Sequence, residues 1–175
     1  MSGGRKFLIA DTHFDHRGII DLADRPFKDV ETMQDTITWN TNEIVHKNDH
    51  LYWLGDIGMC NKKRMSELLN RFKCHNNYLI LGNHDLCHSL SWWYSLGFFK
   101  TVTKWPIIVD DWYILSHAPV YLNKYMPYVN IHGHLHEKTL SAPDCAYVNV
   151  SLEQTDYKPV SFDEIKEKYS VDVTE

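Results

Sequence analysis

The chain has 175 residues, 43% of them hydrophobic and 23% charged, an ordinary soluble composition that suits one domain over residues 1–175. Lys and Arg number 18 against 23 Asp and Glu, a net charge of −5. Backbone-driven binding to nucleic acid needs a basic face, so a long duplex is not the expected partner.

Strand signals begin at once. Phe7 to Ala10 is a short apolar run that stops at Asp11, the form of a buried strand feeding a polar loop. It is also too short for a secretory segment or a membrane span. The four cysteines (Cys60, Cys74, Cys87, Cys145) have no CxxC spacing, and together these features point to free thiols and a cytoplasmic protein. From Val30 to Lys47, Met33, Ile37, Ile44 and Val45 recur near helical spacing. "HLYWLGD" reads as a strand stopping at Gly55-Asp56. Met65, Leu68, Leu69 and Phe72 mark a helix over 61–73. "NYLILGNHD" is another strand, and 88–97 a short helix. "TVTKWPIIVDDWYILSHAP" suggests two strands about a turn at Asp110-Asp111, with Pro106 at an edge or bulge. "YVNIHGHLH" and "CAYVNVSLE" are further strands, and Ser161 with Glu164 forms a capping box for a helix reaching about Lys168. Strand–helix alternation followed by consecutive strands predicts sheets flanked by helices.

Nearly every strand ends in a residue type that ligates metals: Asp11 and His13, Asp56, Asn83 and His84, His117, then His134 and His136. Open α/β sheets place their sites where strands end, so these residues are expected at one edge. Each piece alone is ordinary turn chemistry. Gly133-His134-Leu135-His136 is the strongest, since two imidazoles at i and i+2 after a glycine can both face one ion. His132 shares their strand face, either as a satisfied polar neighbour of the site or as a substrate contact.

The series Asp11-Thr12-His13, Gly55-Asp56, Gly82-Asn83-His84-Asp85, His117 in "SHAP" and Gly133-His134-Leu135-His136 resembles the motif order of the calcineurin-like metallophosphoesterases. "DTHFDHRGII", "RPF", "SHAPV" and "NVSLEQTDYKPVSFDEI" extend the similarity to short bacterial and phage-type members. The resemblance implies an α/β fold, a four-layer α/β/β/α sandwich, and two divalent metal ions. One would be held by Asp11, His13, Asp56 and His136, the other by Asp56, Asn83, His117 and His134, with Asp56 bridging. Mixed nitrogen and oxygen ligands without cysteine suit manganese first, or iron, zinc or nickel. A hydroxide bridging the two ions would attack the phosphate ester. By the same resemblance, His84 would protonate the leaving alkoxide and Asp85 would orient it. His16 and Arg17 are either contacts to a phosphate oxygen or a solvated loop.

The protein Ser/Thr phosphatases of the superfamily carry Asp-Arg-Gly after Gly-Asp, and Glu after Gly-Asn-His. This chain has "GDIGMCN" and "GNHD" instead, so their phosphate-clamping arginines are missing. The expectation is therefore a phosphodiesterase on nucleotide-type or small diester substrates, at an open site. A small-molecule phosphomonoesterase and a non-catalytic protein-binding scaffold stand as alternatives. Trp92, Trp93, Tyr121 and Tyr125 either stack a base or belong to the core.

Overall fold

Alternation along the first strand creates two cores. In the computed structural model, which describes residues 4–141 and 146–169, β1 (Lys6–Ile9) sends Phe7 and Ile9 to one face of a sheet. Leu8, with Ala10 beyond it, faces the other way. Cys145 lies outside the described residues, and the other three cysteines are free thiols.

The first face is covered by helices. α2 (Val30–Ile44) buries Val30, Met33 and Ile37, and α3 (Lys62–Leu69) buries Met65, Leu68 and Leu69. They pack with Leu51 and Trp53 of β2 (His50–Trp53) and Leu79 of β3 (Asn76–Ile80). Both helices start on side-chain caps, Asp29 accepting from the Thr32 N–H at 2.7 Å and Asn61 from the Arg64 N–H at 3.0 Å. α4 (Leu90–Tyr94) adds the fully buried Trp93. β1, β2, β3 and β4 (Phe99–Thr103) run parallel, and β9 (Val160–Ser161) joins β1 antiparallel, in the order β4-β3-β2-β1-β9.

On the other face, Leu8, Ala10, Leu54 and Ile80 meet a second sheet through Tyr113 and Leu115 of β6 (Tyr113–Leu115) and Val129 and Ile131 of β7 (Val129–His132). Phe162 and Ile165 of α5 (Phe162–Lys168) complete this core. β5 (Ile107–Val109) pairs antiparallel with β6, whereas β6, β7 and β8 (Ala146–Asn149) run parallel. Over the outer face of this sheet lies segment 118–128, whose Val120 N–H donates to Asn130 Oδ1 at 2.8 Å and whose Leu122 N–H donates to the Tyr147 hydroxyl at 3.0 Å. Two stacked sheets with helices make the α/β sandwich that the resemblance implies.

The structure departs from the sequence pattern in four places. The stretch around Pro106 holds a hairpin about Asp110-Asp111, both in the left-handed conformation (φ 48° and 65°), but its first residues finish β4 in the other sheet. α2 stops at Ile44 rather than Lys47, because Val45 turns extended and the Asp49 carboxylate captures the N–H groups of His46 and Arg5. Ser161 makes no capping hydrogen bond, since it is still paired with Phe7 as the last residue of β9. Finally, a short α1 (Gly18–Leu22) follows the first loop, burying only Ile19.

Candidate metal centre

Parallel strands carry their following loops to one edge. Asp11 and His13 come after β1, Asp56 after β2, Asn83 and His84 after β3, His117 after β6, and His134 and His136 after β7. Backbone bonds stitch the loops together. Asp11 N–H donates to Gly55 O at 3.0 Å, His13 N–H to Asp56 O at 2.9 Å, and Gly133 N–H to His117 O at 2.9 Å. The two sheets are joined directly where the His134 N–H donates to Asp11 Oδ2 at 2.9 Å.

The chain turns sharply to aim these side chains. Asp11, His13, Asp56, His134 and His136 all have left-handed φ values, between 48° and 69°. Such conformations cost roughly 1–3 kcal/mol each away from glycine and concentrate at functional sites. Gly82 is required by closeness: a Cβ there would collide with Asp56 Oδ1.

Two clusters result. The ligand-type atoms of Asp11, His13 and His136 lie within 4.8 Å of one another, and so do those of Asp56, His117 and His134. Asp56 Oδ2 stands between them, 3.7 Å from His13 Nε2 and 3.5 Å from His117 Nε2. The His117 ring donates from Nδ1 to Leu54 O at 2.8 Å, which leaves its Nε2 as a lone pair. That lone pair meets Asn83 Oδ1 at 2.9 Å and His134 Nδ1 at 3.1 Å. With His134 in the tautomer that leaves Nδ1 unprotonated, these three atoms form a set that a cation would share. In the other cluster, Asp11 Oδ1 and His13 Nε2 are buried with no protein partner. These are the donor sets a divalent ion would satisfy. His134 and His136 therefore divide between the two clusters and do not share one.

Electrostatics fit the same picture. Burial, with Arg25 and His136 nearby, pushes the His13 pKa down to about 2. Burial likewise lowers His117 and His134, so these rings present neutral nitrogens. Burial raises Asp11 to about 7, helped by the charge of Asp56 and opposed by His136. His136 is the exception: burial would lower its pKa, but the hydrogen bond and charge of Glu153 outweigh this and raise it.

The clusters open into a cleft of about 380 Å³ lined also by His16, His84, Ile19, Leu22, Leu135 and Lys138. Leu22 is 77% exposed there, an apolar wall beside a polar floor.

A family model described as calcineurin-like phosphoesterase matches residues 5–171. An uncharacterized protein of Methanocaldococcus jannaschii, MJ1445, is 35% identical over 177 aligned positions, covering 93% of this chain and 90% of the relative. The crystal structure of AQ665, a protein of unknown function from Aquifex aeolicus, superposes with a TM-score of 0.74 at 24% identity, covering 94% of this chain and 99% of that one, a likeness of fold.

Not every expected residue reaches the cleft. His84 does: its ring is 39% exposed, with Nε2 3.9 Å from Asp56 Oδ2, and its N–H donates to Asp56 Oδ1 at 2.9 Å. His16 sits beside it, its Nδ1 3.3 Å from His13 Nδ1. Arg17 does not, and borders a separate depression with Ile20, Asp21 and Lys28, because α1 starts at Gly18 and turns it outward. His132 is buried and donates from Nδ1 to Gly133 O at 2.8 Å, a satisfied neighbour. Trp93 is core and Trp92 stacks on His88 at 3.8 Å, while Tyr121 and Tyr125 are exposed. Two residues outside the motifs, Arg25 and Glu153, are buried beneath the site. Their only signal was their place in "RPF" and "NVSLEQ".

Asp85 requires a correction. Its carboxylate accepts from the N–H groups of Asp56 (2.7 Å), Ile57 (2.9 Å) and Gly82 (2.9 Å), and no hydrogen bond joins it to the His84 ring. It opens a 3₁₀ turn and points back into the fold, where burial pushes its pKa up to about 7 against the pull of those donors. Its work is to hold the Gly-Asp and Gly-Asn loops in register. Asp85→Ala leaves three buried amides without an acceptor, at roughly 1–3 kcal/mol each. The urea midpoint should fall accordingly, and an unchanged midpoint would refute this role.

Proposed function

The chain belongs to the calcineurin-like phosphoesterase family, and on that premise we propose a dinuclear phosphodiesterase acting on nucleotide-type or other small diesters. We assign Asp11, His13, Asp56 and His136 to one ion and Asp56, Asn83, His117 and His134 to the other, with manganese the first choice and iron, zinc or nickel alternatives. Bound there, the ions would supply an activated water and neutralise charge on the phosphate oxygens. Cytoplasmic residence remains part of this reading. No helix among the described residues is long and apolar enough to cross a membrane.

The chain's own groups complete the chemistry. His84, half-open at the mouth of the cleft, would give a proton to the leaving alkoxide, and His16 beside it would touch a phosphate oxygen. Asp56 Oδ1, held by the His84 N–H, ties the position of this acid to the floor. The apolar wall of Ile19, Leu22 and Leu135 offers a dry contact for an ester substituent.

The preference for a diester rests on one observation: no arginine lines the cleft. Arg5 pairs with Asp49, Arg25 with Glu153, Arg64 with Asp15 and Arg71 with Asp35, and Arg17 lies outside. A dianionic monoester is held best by bidentate guanidinium groups, whereas a diester carries one charge fewer.

Two outcomes are expected. With Mn²⁺, bis-p-nitrophenyl phosphate or a nucleotide diester should have a higher kcat/KM than its matched monoester. A monoester ahead by about tenfold, or about 1.4 kcal/mol of transition-state preference, would make the protein a phosphomonoesterase instead. For the acid, His84→Ala should lower kcat about 10²–10⁴-fold for an alkyl leaving group, and much less for p-nitrophenolate, which hardly needs protonation. Equal losses for both leaving groups would rule out proton donation by His84.

A further inference from the structure

A buried ion pair lies directly under one of the two clusters. Arg25 and Glu153 have side chains 0% and 5% exposed, with Nη2 2.7 Å and Nε 2.8 Å from the same oxygen, Glu153 Oε1. That oxygen also accepts from His136 Nδ1 at 2.8 Å. In the other direction, Arg25 donates from Nη2 to the carbonyl of Asp11 at 2.7 Å and from Nη1 to the carbonyl of Thr12 at 3.4 Å. Those carbonyls belong to the turn that presents Asp11 and His13, both in left-handed conformations. One guanidinium and one carboxylate thus touch the ring of His136 and the backbone between the other two members of the cluster.

We infer that the Arg25–Glu153 pair is a positioning device for the metal centre of Asp11, His13 and His136, and for that centre alone. The inference rests on the proposed function, which places an ion there. Glu153 fixes the His136 tautomer: with Nδ1–H held by a carboxylate, the Nε2 lone pair is left free and more basic toward a cation. Arg25 braces the turn that carries the oxygen and nitrogen of Asp11 and His13. The second cluster has different supports, since His117 is oriented by the carbonyl of Leu54. Folding alone does not favour the arrangement. Glu153 Oε2 is buried with no protein partner, and a buried ion pair is often no more stable than apolar side chains of similar volume. What the carboxylate gains is the His136 ring.

Calorimetric titration of the metal-stripped full chain with Mn²⁺ tests this, alongside the melting temperature of each metal-free variant. In Glu153→Ala, one of two binding events should weaken by about 10–100-fold while the other keeps the wild-type affinity. Glu153→Gln keeps an oxygen within reach of Nδ1–H and should hold more affinity than the alanine variant. If the alanine variant does not fold, Glu153→Asp, which keeps the charge but not the reach, should give the same one-sided loss. Two unchanged affinities, or equal weakening of both with a lowered metal-free melting temperature, would overturn the inference and leave the metal reading standing. A wild-type chain that binds none of Mn²⁺, Fe²⁺, Zn²⁺ and Ni²⁺ in the same titration would overturn both.

Discussion

The carboxylate of Asp56 has to serve two sheets at once, and the geometry around it follows from that demand. It is buried, yet Oδ2 lies within 3.9 Å of nitrogens on His13, His84 and His117, which come from three different strand ends. To bring it there, β2 must be followed by a left-handed Gly55 (φ 87°), where a Cβ would lie 2.5 Å from Gly82 N and 2.6 Å from His117 Nδ1. At this edge the loops pack so closely that neither Gly55 nor Gly82 has room for a Cβ. The left-handed aspartates and histidines are the consequence, and the strain is borne by the two cores on either side of β1.

The charge gathered at this edge is what an ion would answer. Asp11 and Asp56 are buried together, while His13, His117 and His134 are held in the neutral form chiefly by burial, with the charge of His136 adding to it. Burying carboxylates this close together is unfavourable in a dry interior, which is why the Asp11 pKa is pushed up. Divalent cations would reverse the sign of that problem, and orphaned atoms such as His13 Nε2 would serve as ligands. Asp85 and the Arg25–Glu153 pair then have a common purpose. Neither faces the substrate, and both hold backbone turns that would otherwise relax toward ordinary conformations.

The sequence made the strand ends legible because apolar runs stop abruptly at polar residues, and stacked parallel strands deliver those stops to one edge. Adjacency along the chain was less reliable. Asp85 follows His84 but turns inward to three amides, and Arg17 follows His16 but leaves the cleft, because a single turn of backbone sends neighbours in opposite directions. His134 and His136, two apart, part between clusters for the same reason. Arg25 and Glu153 are 128 positions apart, and a charged residue in sequence carries no sign that it will be buried. The boundary between β4 and β5 was blurred because both sides of Trp105-Pro106 are rich in β-branched residues, which fit either sheet.

Two ions at this edge would have to share the Asp56 carboxylate. Crystals of the chain loaded with Mn²⁺, measured on both sides of the manganese absorption edge, test it directly. Two anomalous peaks are expected roughly 3.5–4 Å apart, one beside Asp11, His13 and His136, the other beside Asn83, His117 and His134, with Asp56 reaching both. A single peak, or two peaks of which one has no contact with Asp56, would contradict it.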